Sequence, residues 1–592
     1  MTNLEVAELL RDIAAAYQLK NETRNKFRIV AYQRAADSIE HLSSEIKDIW
    51  DEGKLVEIAG VGPSLAKHLD EIFSVGSSSH FADIFQGLPM SIFELMKIPG
   101  VGVKTAYKLV KELPIGDKDP IGDLEKLAKK GEIAKLTGFG EDSQFAILRS
   151  INMVRKAVKR HLLPYAYLIA EKVSEWILQN KHVVRVEPLG SLRRRVSTIG
   201  DVDIAVATKN PGSVLDHFVS YPKKVRIIEK GVHKASILLP GGMQVDCMVQ
   251  DPESFGSLLQ HFTGSKHHNI ALREYALKLG FSLSEYGIRA KTNDSDKGME
   301  TLKKFKTEEE FYNFLGLDWI PPELRENTGE IEAAKNHKLP DLILLSDVKS
   351  DLQLHSDFDV ETSHDLGASS MEELVDMANR LGYEYIAMTE HNPSKKGHSN
   401  DEIVKILRKK QKKVKELNEM VNKEKVSVKR VFNSLEIDIL QDGSLPVPES
   451  AFETLDFALV SIHSSFEMTK EAMTGRVLSA LSHPKVKIFA HPTARKLNSR
   501  EGVEIDWDKV FSFCVENNKW IEINGDPMRL DLPDFLVREG VKKGVKFTFG
   551  TDAHHKQGME NMQWAVSVAR RGWLTKNDVA NTKSLKDFEE ML

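Results

Sequence analysis

The sequence has little of what marks secreted, membrane-spanning or disulfide-bonded proteins. It contains two cysteines, Cys247 and Cys514, among 592 residues, which excludes a disulfide framework and a cysteine-based zinc site and fits a reducing compartment. No apolar run approaches the ~18 residues that a membrane span needs. The N-terminal segment mixes acidic side chains into a helical pattern, unlike a signal peptide. We therefore expect a cytoplasmic protein without a membrane partner.

A dominant charge of one sign is missing as well. The net charge of −5 neither favours nor excludes a nucleic-acid partner, because a basic footprint can be local. Hydrophobic residues make up 41% and charged residues 29% of the chain, which is typical of globular domains and excludes a disordered protein. At ~150 residues per domain, the length predicts about four domains.

The hydrophobic pattern divides the chain into segments. Residues 1 to about 160 predict short amphipathic helices broken by glycine, and residues from about 163 to 260 predict strands with a hairpin turn at Pro240-Gly241-Gly242. Helical spacing returns from about 265 to 318. The double proline of WIPPELREN (319–327) opens a polar segment that reaches about 347. Because double proline continues neither helix nor strand, we predict that 319–347 is a linker in the form of an extended spacer.

From about 348 to the end, short apolar runs alternate with long helical patterns. The seven runs are DLQLH, YIAMTEH, RVFNSLEIDI, FALVSIH, KIFAHP, WIEIN and KFTFGTDAH. Alternation of strands and helices predicts parallel βα units, and this number of strands suits a closed or nearly closed barrel. Polar residues cluster at the C-terminal ends of most of these strands, where the active sites of barrels lie.

Glycine turns recur in the first third of the chain. IAGVGPSLAKHL contains Gly60 and Gly62, IPGVGVKTAYKL contains Gly100 and Gly102, and LTGFGEDSQFAI (136–147) is a weaker third copy. Glycine allows a tight turn and a close approach to a ligand, and the N–H groups of the helix that follows suit a phosphate. Helix-capping turns in a helical bundle are the alternative. The repetition favours helix-hairpin-helix motifs, which these segments resemble and which hold DNA without reading its sequence.

A second pattern contains paired carboxylates. GSLRRRVSTIGDVDIAV (190–206) places Asp201 and Asp203 on the same side of a predicted strand. Across the predicted hairpin, the alternation of MQVDCMV turns Asp246 to the opposite side from its neighbours. If the strands are adjacent, three carboxylates converge, and their repulsion requires cations. Three hard oxygen ligands suit Mg²⁺, and two such ions suit in-line phosphoryl transfer.

The residues before these carboxylates add groups for a triphosphate. Gly190 allows a close backbone approach, Ser191 offers a hydroxyl, and Arg193 to Arg195 supply cationic donors. An isolated Asp-x-Asp would more often be a solvated pair on an edge strand. Gly-Ser, a basic triplet, Gly-Asp-x-Asp and a third Asp in one order instead favour a nucleotidyltransferase palm.

The block HFTGSKHHNIALREYALKLGFSLSEYGI (261–288) is similar to the nucleotide-binding thumb of family X DNA polymerases. Residues 1 to about 318 resemble that family throughout. The resemblance implies a multidomain chain of α+β and α/β classes. Its domains would be a helical lyase-like DNA-binding domain at 1–85, fingers with the second and third hairpins at 86–160, a nucleotidyltransferase palm with a mixed sheet at 161–260 and a thumb at 261–318.

The resemblance also implies roles for single residues. Asp201, Asp203 and Asp246 match the catalytic, metal-binding carboxylates, and Gly60, Gly62, Gly100 and Gly102 match DNA-binding turns. The positions that match nucleotide contacts are Gly190, Ser191, Arg194, Gly200, Phe262, Gly264, Asn269 and Arg273. Taken singly, Phe262, Asn269 and Arg273 also suit core packing, a helix surface and a solvated charge.

Two positions depart from the family pattern. Gln244, two residues before the third Asp, stands where a basic residue often assists the primer hydroxyl. His68 stands where the family has a Schiff-base lysine for a 5′ sugar phosphate, and its neighbour Lys67 is rotated by ~100° around a helix. The second departure puts 5′-deoxyribose phosphate lyase activity in doubt.

In the last segment nearly every predicted strand ends in a potential metal ligand. In chain order these are His355, His391, Glu436, His463, His491, Asp552 and His554. A lone His on an apolar strand is more often a core residue, but a series of this kind is hard to explain in that way. Imidazole with carboxylate suits Zn²⁺, Mn²⁺ or Fe, and such ions activate water for phosphoester hydrolysis.

Several stretches resemble the polymerase-and-histidinol-phosphatase (PHP) domain attached to bacterial family X polymerases. They are LPVPESAFETLDFALVSIHSSF, AHPTARKL, TDAHH and ARRGWL. The resemblance implies a metallophosphoesterase-like domain at 348–592 with the fold of a seven-stranded distorted β/α barrel, holding Zn²⁺ or Mn²⁺.

The first metal motif departs from the PHP pattern of His-x-His, because Gln353 stands at the first His position before His355. The Asp that the pattern places five residues later is Val360 here, and the alternatives are Asp359, His364 and Asp365. The strand-two motif is Thr-Glu-His instead of Thr-Asp-His. A trinuclear site without one ligand would hold two metals, bind metal more weakly or persist as scaffold. We favour retained metal binding.

Together these patterns predict a template-directed DNA polymerase that fills short gaps during repair, with two Mg²⁺ ions for which Mn²⁺ can substitute. Its partners would be gapped or primer-template DNA and deoxynucleoside triphosphates, and nothing demands more than a monomer. The PHP domain would act as a metal-dependent 3′–5′ exonuclease or 3′-end phosphoesterase. The alternatives are mainly a metal-dependent phosphoesterase or nuclease with the polymerase half as a DNA clamp, a non-catalytic repair scaffold, and an RNA-end nucleotidyltransferase.

Overall fold

The computed structural model describes residues 1, 3–40, 46–98, 100–156, 160–290, 302–424 and 426–592. Residues 291–301 of the predicted thumb therefore lie outside the described residues. The chain forms two compact units. The first comprises Met1–Arg160, Pro240–Gly242 and Asn498–Arg500, and the second comprises His161–Leu239, Met243–Leu497 and Glu501–Leu592. Within the described ranges, no helix has both the length and the apolar character that a membrane span requires.

The described part of the first unit is helical, as the amphipathic pattern predicts. Its helices are α1 (Asn3–Glu40), α2 (Ile46–Asp51), α3 (Pro63–Val75), α4 (Ser79–Phe85), α5 (Ser91–Met96), α6 (Val103–Glu112), α7 (Pro120–Lys129) and α8 (Glu141–Lys156). The backbone of α1 leaves helical geometry at Asn21, where φ is −170° and ψ is 95°. Leu10 and Ile13 of α1 are buried in one core with Leu69 of α3, because their spacing places them on one face of the helix.

The second unit begins with a mixed sheet. Its strands are β2 (Val183–Pro188), β4 (Val202–Thr208), β5 (Arg226–Lys230), β6 (Lys234–Leu238) and β7 (Gln244–Gln250), and β1 (His161–Leu162) pairs separately with β3 (Thr198–Ile199). The order is β2-β4-β7-β6-β5. β4 and β7 are parallel, and the other pairs are antiparallel. β5 lies at the edge, and its five residues are all exposed.

Helices cover both faces of this sheet. They are α9 (Leu163–Leu178), α10 (Gly190–Arg193), α11 (Pro211–Val219) and α12 (Phe255–Thr263). Ile204 and Val206 of β4 belong to the core formed with α9 and α11, whereas Ala205 and Ala207 belong to the core formed with α12. This is the alternation that a strand buried on both faces requires.

The sheet is followed by α12, α13 (Lys266–Lys278), the hairpin of β8 (Phe281–Ser284) and β9 (Gly287–Ala290), and α14 (Glu308–Phe314). The segment 319–347 comes next and is folded, which differs from the extended spacer that its double proline predicts. It forms a 3-10 turn at Pro322–Leu324 and a helix, α15 (Glu330–Lys335). Proline begins the turn, a position that needs no N–H donor. Ile320 is fully buried in one core with residues of α13 and α14, which gives the segment a reason to fold.

The remainder alternates strands with helices. The strands are β10 (Ser350–Leu354), β11 (Tyr385–Met388), β12 (Arg430–Asn433), β13 (Glu436–Asp438), β14 (Ala458–Ser461), β15 (Val486–Phe489), β16 (Trp520–Asn524) and β17 (Lys546–Gly550). The helices are α16 (Met371–Arg380), α17 (Asn400–Glu424), α18 (Glu449–Phe452), α19 (Lys470–Leu481), α20 (Trp507–Glu516), α21 (Asp534–Lys543), α22 (Met562–Arg571) and α23 (Leu585–Met591).

These strands form two parallel sheets, β10-β11-β12 and β13-β14-β15-β16-β17. The run RVFNSLEIDI, predicted as one strand, forms both β12 and β13, so the described residues contain eight short strands here instead of seven. The strands are buried almost throughout, which is typical of parallel sheets covered on both faces. Their C-terminal ends therefore bring polar side chains to one side of each sheet.

Candidate active sites

The first candidate site lies where β4 and β7 run side by side. The register pairs Asp203 directly with Asp246. Asp201 precedes β4 and is exposed, whereas Asp203 is half-buried and Asp246 is buried. The hairpin of β6 and β7 produces this meeting, because it returns the chain beside β4. The carboxylates thus lie as the strand pattern requires, and their catalytic role stays a prediction.

Asp203 lies in an electrostatic environment that opposes its charge. Burial, followed by the charges of Asp201 and Asp246, raises the pKa of the Asp203 carboxyl to about 7, although Lys234 and Arg194 act in the other direction. Burial and like charges both disfavour an anion, and a bound cation would reverse both effects. The donor set, hard carboxylate oxygens on neighbouring strands, fits divalent Mg²⁺.

A lysine that the sequence analysis did not single out lies beside the third carboxylate. The Lys234 Nζ atom is 2.8 Å from Asp246 Oδ2 and 3.1 Å from Glu229 Oε1. Gln244 Nε2 donates to Asp246 Oδ1 at 2.8 Å. The Asp246 carboxylate therefore has a positively charged neighbour, Lys234, although Gln244 itself is neutral. The register of the hairpin would have predicted this contact, because Lys234 pairs with Met248 and therefore lies diagonally opposite Asp246.

A glycine turn brings the backbone against Asp203. Gly190 has a φ of 57°, and a Cβ atom at this position would lie 2.7 Å from Asp203 Oδ2. Only glycine permits this approach without displacement of the carboxylate. Ser191 follows in α10, and Gly200 lies before Asp201; both are half-buried. The predicted triphosphate contacts thus lie next to the carboxylates in the chain and, for Gly190, in space.

The three arginines of the basic triplet have different surroundings. Arg193 forms two hydrogen bonds with Glu308, at 2.9 and 2.6 Å. Arg194 Nε donates to Glu326 at 3.0 Å, and its Nη1 donates to the backbone carbonyl of Thr263. The Arg195 guanidinium lies 4.5 Å from the centre of the Tyr167 ring. Arg193 also donates to the Thr263 hydroxyl at 2.6 Å, but Arg194 reaches the turn at Gly264 itself, where its Nη1 would lie 3.4 Å from an added Cβ.

A buried ion-pair group supports this region. Glu308 is 3% exposed and also pairs with Arg325 at 2.6 Å. Burial alone would raise the pKa of Glu308, but the charges of Arg325 and Arg193 lower it to about 2. The Glu308 carboxylate is thus stabilised by Arg193, which precedes it in the chain, and by Arg325, which follows it. Neither Glu308 nor Arg325 was identified from the sequence.

The predicted nucleotide-facing residues of α12 and α13 lie close together. Asn269 donates to the backbone carbonyl of His261 at 2.7 Å and accepts from Gln260 at 2.9 Å. Arg273, one turn further along α13, is exposed, and its Nη2 lies 3.5 Å from His261 Nδ1. Phe262 is partly buried against the core below α12. Asn269 is therefore fixed in place, whereas Arg273 presents its charge to solvent.

The glycine turns of the first unit share one geometry. Gly60, Gly100 and Gly138 have φ values of 77°, 86° and 83°, a region that favours glycine. Helices α3 and α6 begin directly after Gly62 and Gly102, both of which are exposed. The N–H groups at these helix starts are therefore suited to a phosphate backbone.

His68, at the lysine position of the family's lyase site, is engaged in packing. Its ring stacks on His80 with centres 4.4 Å apart, and its Nδ1 lies 3.6 Å from Glu71 Oε2. Lys67 is exposed. The His68 ring is thus held in packing contacts while Lys67 faces solvent, and nothing in this arrangement tests the lyase activity that the sequence puts in doubt.

The second candidate site lies at the ends of the C-terminal strands and centres on Glu436. Glu436 Oε1 is 2.8 Å from His491 Nε2 and 3.3 Å from His463 Nε2. Glu436 Oε2 is 3.2 Å from His355 Nε2, which lies at the same distance from Asp552 Oδ1. Among the described residues, four groups of three side chains have ligand atoms within 4.8 Å of one another. The groups are His355, His391 and His554; His364, His391 and His463; Glu436, His463 and His491; and His355, Glu436 and Asp552. All seven predicted ligands therefore come together.

Several buried nitrogens of this cluster have no hydrogen-bond partner. Among the described residues these are the Nδ1 atoms of His355, His391 and His491. The other ring nitrogen of His355, Nε2, faces the carboxylates of Glu436 and Asp552. Burial lowers the pKa of His391 well below its ordinary value although Glu436 opposes this, so its ring is neutral and has a lone pair. Unpartnered buried imidazole nitrogens are costly unless a ligand binds them. The donor set of imidazoles and carboxylates fits Zn²⁺ or Mn²⁺.

The structure also distinguishes the alternatives at the first metal motif. Gln353 Nε2 donates to Glu436 Oε2 at 2.8 Å, and its Oε1 accepts from Asn524 at 3.2 Å. Asp359 is exposed and accepts from the backbone of its own loop, and Asp365 is also exposed. The ring centre of His364 lies 4.6 Å from that of His391, and its Nε2 donates to Asp438 Oδ2 at 2.8 Å. Among the three alternatives, His364 is the one that reaches the cluster.

Two stretches of the sequence, 1–143 and 258–326, match known protein families. Residues 258–326 match the profile described as DNA polymerase beta thumb. Residues 1–78 match the helix-hairpin-helix domain, and residues 52–114 and 92–143 match the SAM-like helix-hairpin-helix tandem. These ranges contain the first two glycine turns and the beginning of the third.

Three individual proteins are similar to the chain, and they cover different fractions of its length. The DNA polymerase/3′-5′ exonuclease PolX of Bacillus subtilis (strain 168) is 32% identical over 597 residues, which cover 100% of this chain and 99% of that protein. DNA polymerase lambda of Arabidopsis thaliana is 24% identical over 353 residues, or 55% of this chain and 62% of that one. A probable phosphatase of Thermoanaerobacter sp. (strain X514) is 27% identical over 224 residues, or 36% of this chain and 84% of that one.

Proposed function

This chain belongs to the family X DNA polymerases, as a full-length relative of bacterial PolX, and from this membership we propose that it fills short gaps in DNA during repair. The observation that supports the proposal most strongly is the direct pairing of Asp203 with Asp246 on adjacent strands beside the Gly190 turn. The substrates would be gapped or primer-template DNA and deoxynucleoside triphosphates. The glycine turns that precede α3 and α6 would hold the DNA backbone.

Each residue of the first site then has a part in nucleotidyl transfer. Asp201, Asp203 and Asp246 would hold two Mg²⁺ ions, which Mn²⁺ can replace and which supply charge neutralisation at the reacting phosphate. Gly190, Ser191, Gly200 and Arg194 would bind the triphosphate. The turn at Phe262 and Gly264 would face the sugar, and Asn269 with Arg273 would face the new base pair. Lys234, 2.8 Å from Asp246 Oδ2, would hold that carboxylate in place beside Asp203.

The test is extension of a labelled primer. A 5′-labelled primer borders a one-nucleotide gap with a 5′ phosphate, and the chain is added with Mg²⁺ and deoxynucleotides. We expect growth by one templated nucleotide. Asp203→Asn should lower the rate by at least ~100-fold, whereas Asp216→Asn, an exposed Asp on α11, should leave it unchanged. Full activity in Asp203→Asn would show that the proposal is wrong, and preference for ribonucleotides would favour an RNA-end nucleotidyltransferase.

A metal-dependent phosphoesterase acting on DNA 3′ ends is the second function that we propose, and the unpartnered nitrogens of His355, His391 and His491 support it. The ligands would be the seven predicted residues together with His364. Zn²⁺ or Mn²⁺ bound there would supply Lewis acidity toward a phosphate ester. His364 and His463 are in turn oriented by Asp438, which each contacts within 2.8 Å.

This second proposal is tested in the same assay without deoxynucleotides. We expect primer shortening in Mn²⁺ that is lost in His463→Ala and kept in His483→Ala, whose ring packs on Phe452 away from the cluster. Growth without shortening would leave the polymerase proposal intact and remove the phosphoesterase one. Shortening without growth would favour the phosphoesterase with a polymerase half that serves as a DNA clamp. Neither reaction would favour a non-catalytic repair scaffold.

We propose that the domains run as the resemblance implies, at 1–85, 86–160, 161–260, 261–318 and 348–592, with 319–347 as a folded connection. We further propose that the two C-terminal sheets close into a distorted β/α barrel. The parallel bridge of Leu354 with Ala553 and the bond from Asp552 N to the Gln353 carbonyl at 3.1 Å support closure. We expect a cytoplasmic monomer.

A further inference from the structure

One arginine of the C-terminal region contacts Arg194, the residue that the proposed function places at the triphosphate. Arg571 is the last residue of α22, and its side chain is 8% exposed. Its Nη1 donates to the backbone carbonyl of Arg194 at 2.7 Å and to Glu326 Oε1 at 3.1 Å. Its Nη2 lies 2.6 Å from Asp534 Oδ2. The guanidinium is therefore bound to the palm on one side and to the start of α21 on the other.

Glu326 is shared between two arginines. Its Oε1 atom accepts from Arg571 and also from Arg194 Nε, at 3.0 Å. Arg194 Nη1 donates to the Thr263 carbonyl. Because Nε and Nη1 are held, the plane of the Arg194 guanidinium has a fixed direction, and Nη2 is the donor through which it would reach a phosphate. A guanidinium binds phosphate oxygens well only when its planar fork faces them.

We propose that Arg571 is a positioning residue for nucleotidyl transfer, acting on Arg194 through the shared Glu326 carboxylate and through the Arg194 backbone carbonyl. The inference rests on the proposed function, in which Arg194 contacts the triphosphate. It gives the C-terminal region a part in nucleotide binding that is separate from the chemistry of its histidine cluster. Without Arg571, the partly exposed Glu326 carboxylate loses one of its two ionic partners. The Arg194 guanidinium keeps its own bonds to Glu326 and Thr263, but the carboxylate that orients it is held less firmly.

The test compares neighbouring arginines in the full-length chain. Arg571→Gln removes the charge, Arg571→Lys keeps it, and Arg570→Gln is the matched control. Arg570 precedes Arg571 in the same helix and bonds instead to Glu323 at 2.7 Å and to the Ile343 carbonyl at 2.9 Å. In single-nucleotide gap filling, Arg571→Gln should raise the KM for the deoxynucleotide ~10-fold, with kcat and the KM for DNA within about two-fold. Arg571→Lys should lie between wild type and Arg571→Gln.

Two further variants separate the possible outcomes. Glu326→Gln should raise the nucleotide KM to a similar extent, and the double variant with Arg571→Gln should add little, because both act through one network. The inference is wrong if Arg571→Gln matches Arg570→Gln, or if it lowers kcat and DNA affinity as much as nucleotide affinity. If Arg571→Gln does not fold, as judged by its melting curve, Arg571→Lys and Glu326→Gln decide by the same criteria.

Arg194→Gln identifies which claim fails. A raised nucleotide KM in Arg194→Gln with none in Arg571→Gln would overturn the positioning inference and leave the proposed function standing. An unchanged nucleotide KM in Arg194→Gln would overturn the assignment of Arg194 to the triphosphate and the inference with it.

Discussion

At the scale of single residues, the surroundings of Asp246 show how a lysine on a neighbouring strand supplies a charge that Gln244 lacks. Gln244 bonds one oxygen of Asp246 and Lys234 bonds the other. The lysine also opposes the rise in the pKa of Asp203. A positive charge beside the carboxylates therefore comes from β6, although the position two residues before Asp246 has none.

The role of the Lys234 charge can be tested by one substitution. Lys234→Gln should lower kcat for gap filling ~10-fold, because Asp246 loses an ionic partner. It should also move the acidic limb of the pH–rate profile to higher pH, since loss of a cation further raises the pKa of Asp203. The control is Lys230→Gln, which removes an exposed lysine of β5. A profile identical to that of the control would contradict the role given to Lys234.

Gln353 lies inside the second candidate site, at the position where the PHP pattern has its first His. Its amide donates to Glu436 and so occupies an oxygen that a metal would otherwise use. Gln353→His should add about one Zn²⁺ or Mn²⁺ per chain, measured by elemental analysis after dialysis, because imidazole is a better ligand than an amide. Gln441→His, at an exposed position after β13, should add none. Equal metal content in wild type and Gln353→His would contradict this prediction.

At the scale of elements, the glycine turns depend on backbone conformation at one of their two glycines. Gly60 has positive φ, and an added Cβ would lie 3.1 Å from the Ala35 backbone nitrogen. Gly62 has a φ of −75°, and an added Cβ would meet nothing within 4 Å. Gly60→Ala should therefore destabilise the first unit by about 1–2 kcal/mol or more, whereas Gly62→Ala should be nearly neutral. Urea unfolding measures both, and equal losses would contradict the argument.

The elements that depend on local pattern were predictable from the sequence. The helices around the glycine turns, the β6–β7 hairpin and the meeting of Asp203 with Asp246 follow from periodicity and turn chemistry. The folded state of 319–347 does not, because it depends on burial of Ile320 by residues distant in sequence. The division of RVFNSLEIDI into β12 and β13 also depends on pairing with different sheets.

The candidate sites show the same limit. Seven strand-end ligands were identified from residue type and position, and they converge. The roles of Lys234, Glu308 and Arg325 were not identified from the sequence. Their partners lie on a neighbouring strand or far away in the chain, and lysine, glutamate and arginine are common residue types. His364 was one of three alternatives, and only the path of its loop distinguishes it from Asp365.

At the scale of the whole molecule, one buried carboxylate joins three parts of the second unit. Glu308 of α14 pairs with Arg193 of α10 and with Arg325 of the 319–347 segment. Because these arginines lower its pKa from 4.5 to about 2, its stabilising effect is fully present above pH 4.5 and is lost as the pH falls through about 2. The shift corresponds to about 3 kcal/mol.

This pH dependence can be measured with one substitution. Glu308→Gln should lower the melting temperature strongly at pH 6, since it leaves buried arginines without their partner. The difference from wild type should shrink as the pH falls from 4.5 toward 2. Glu309→Gln, at the exposed neighbouring position, should show no such trend. A difference that is constant with pH would contradict the assignment to Glu308.

The edge strand β5 has a consequence for handling of the protein. All five of its residues are exposed, and Ile227 and Ile228 lie between Arg226 and the pair Glu229 and Lys230. An edge strand with apolar side chains is a template for strand addition by another chain, and charged residues oppose such growth. Resistance to aggregation at high concentration should therefore depend on the three charged side chains of this strand, of which Glu229 also contacts Lys234 of the first candidate site.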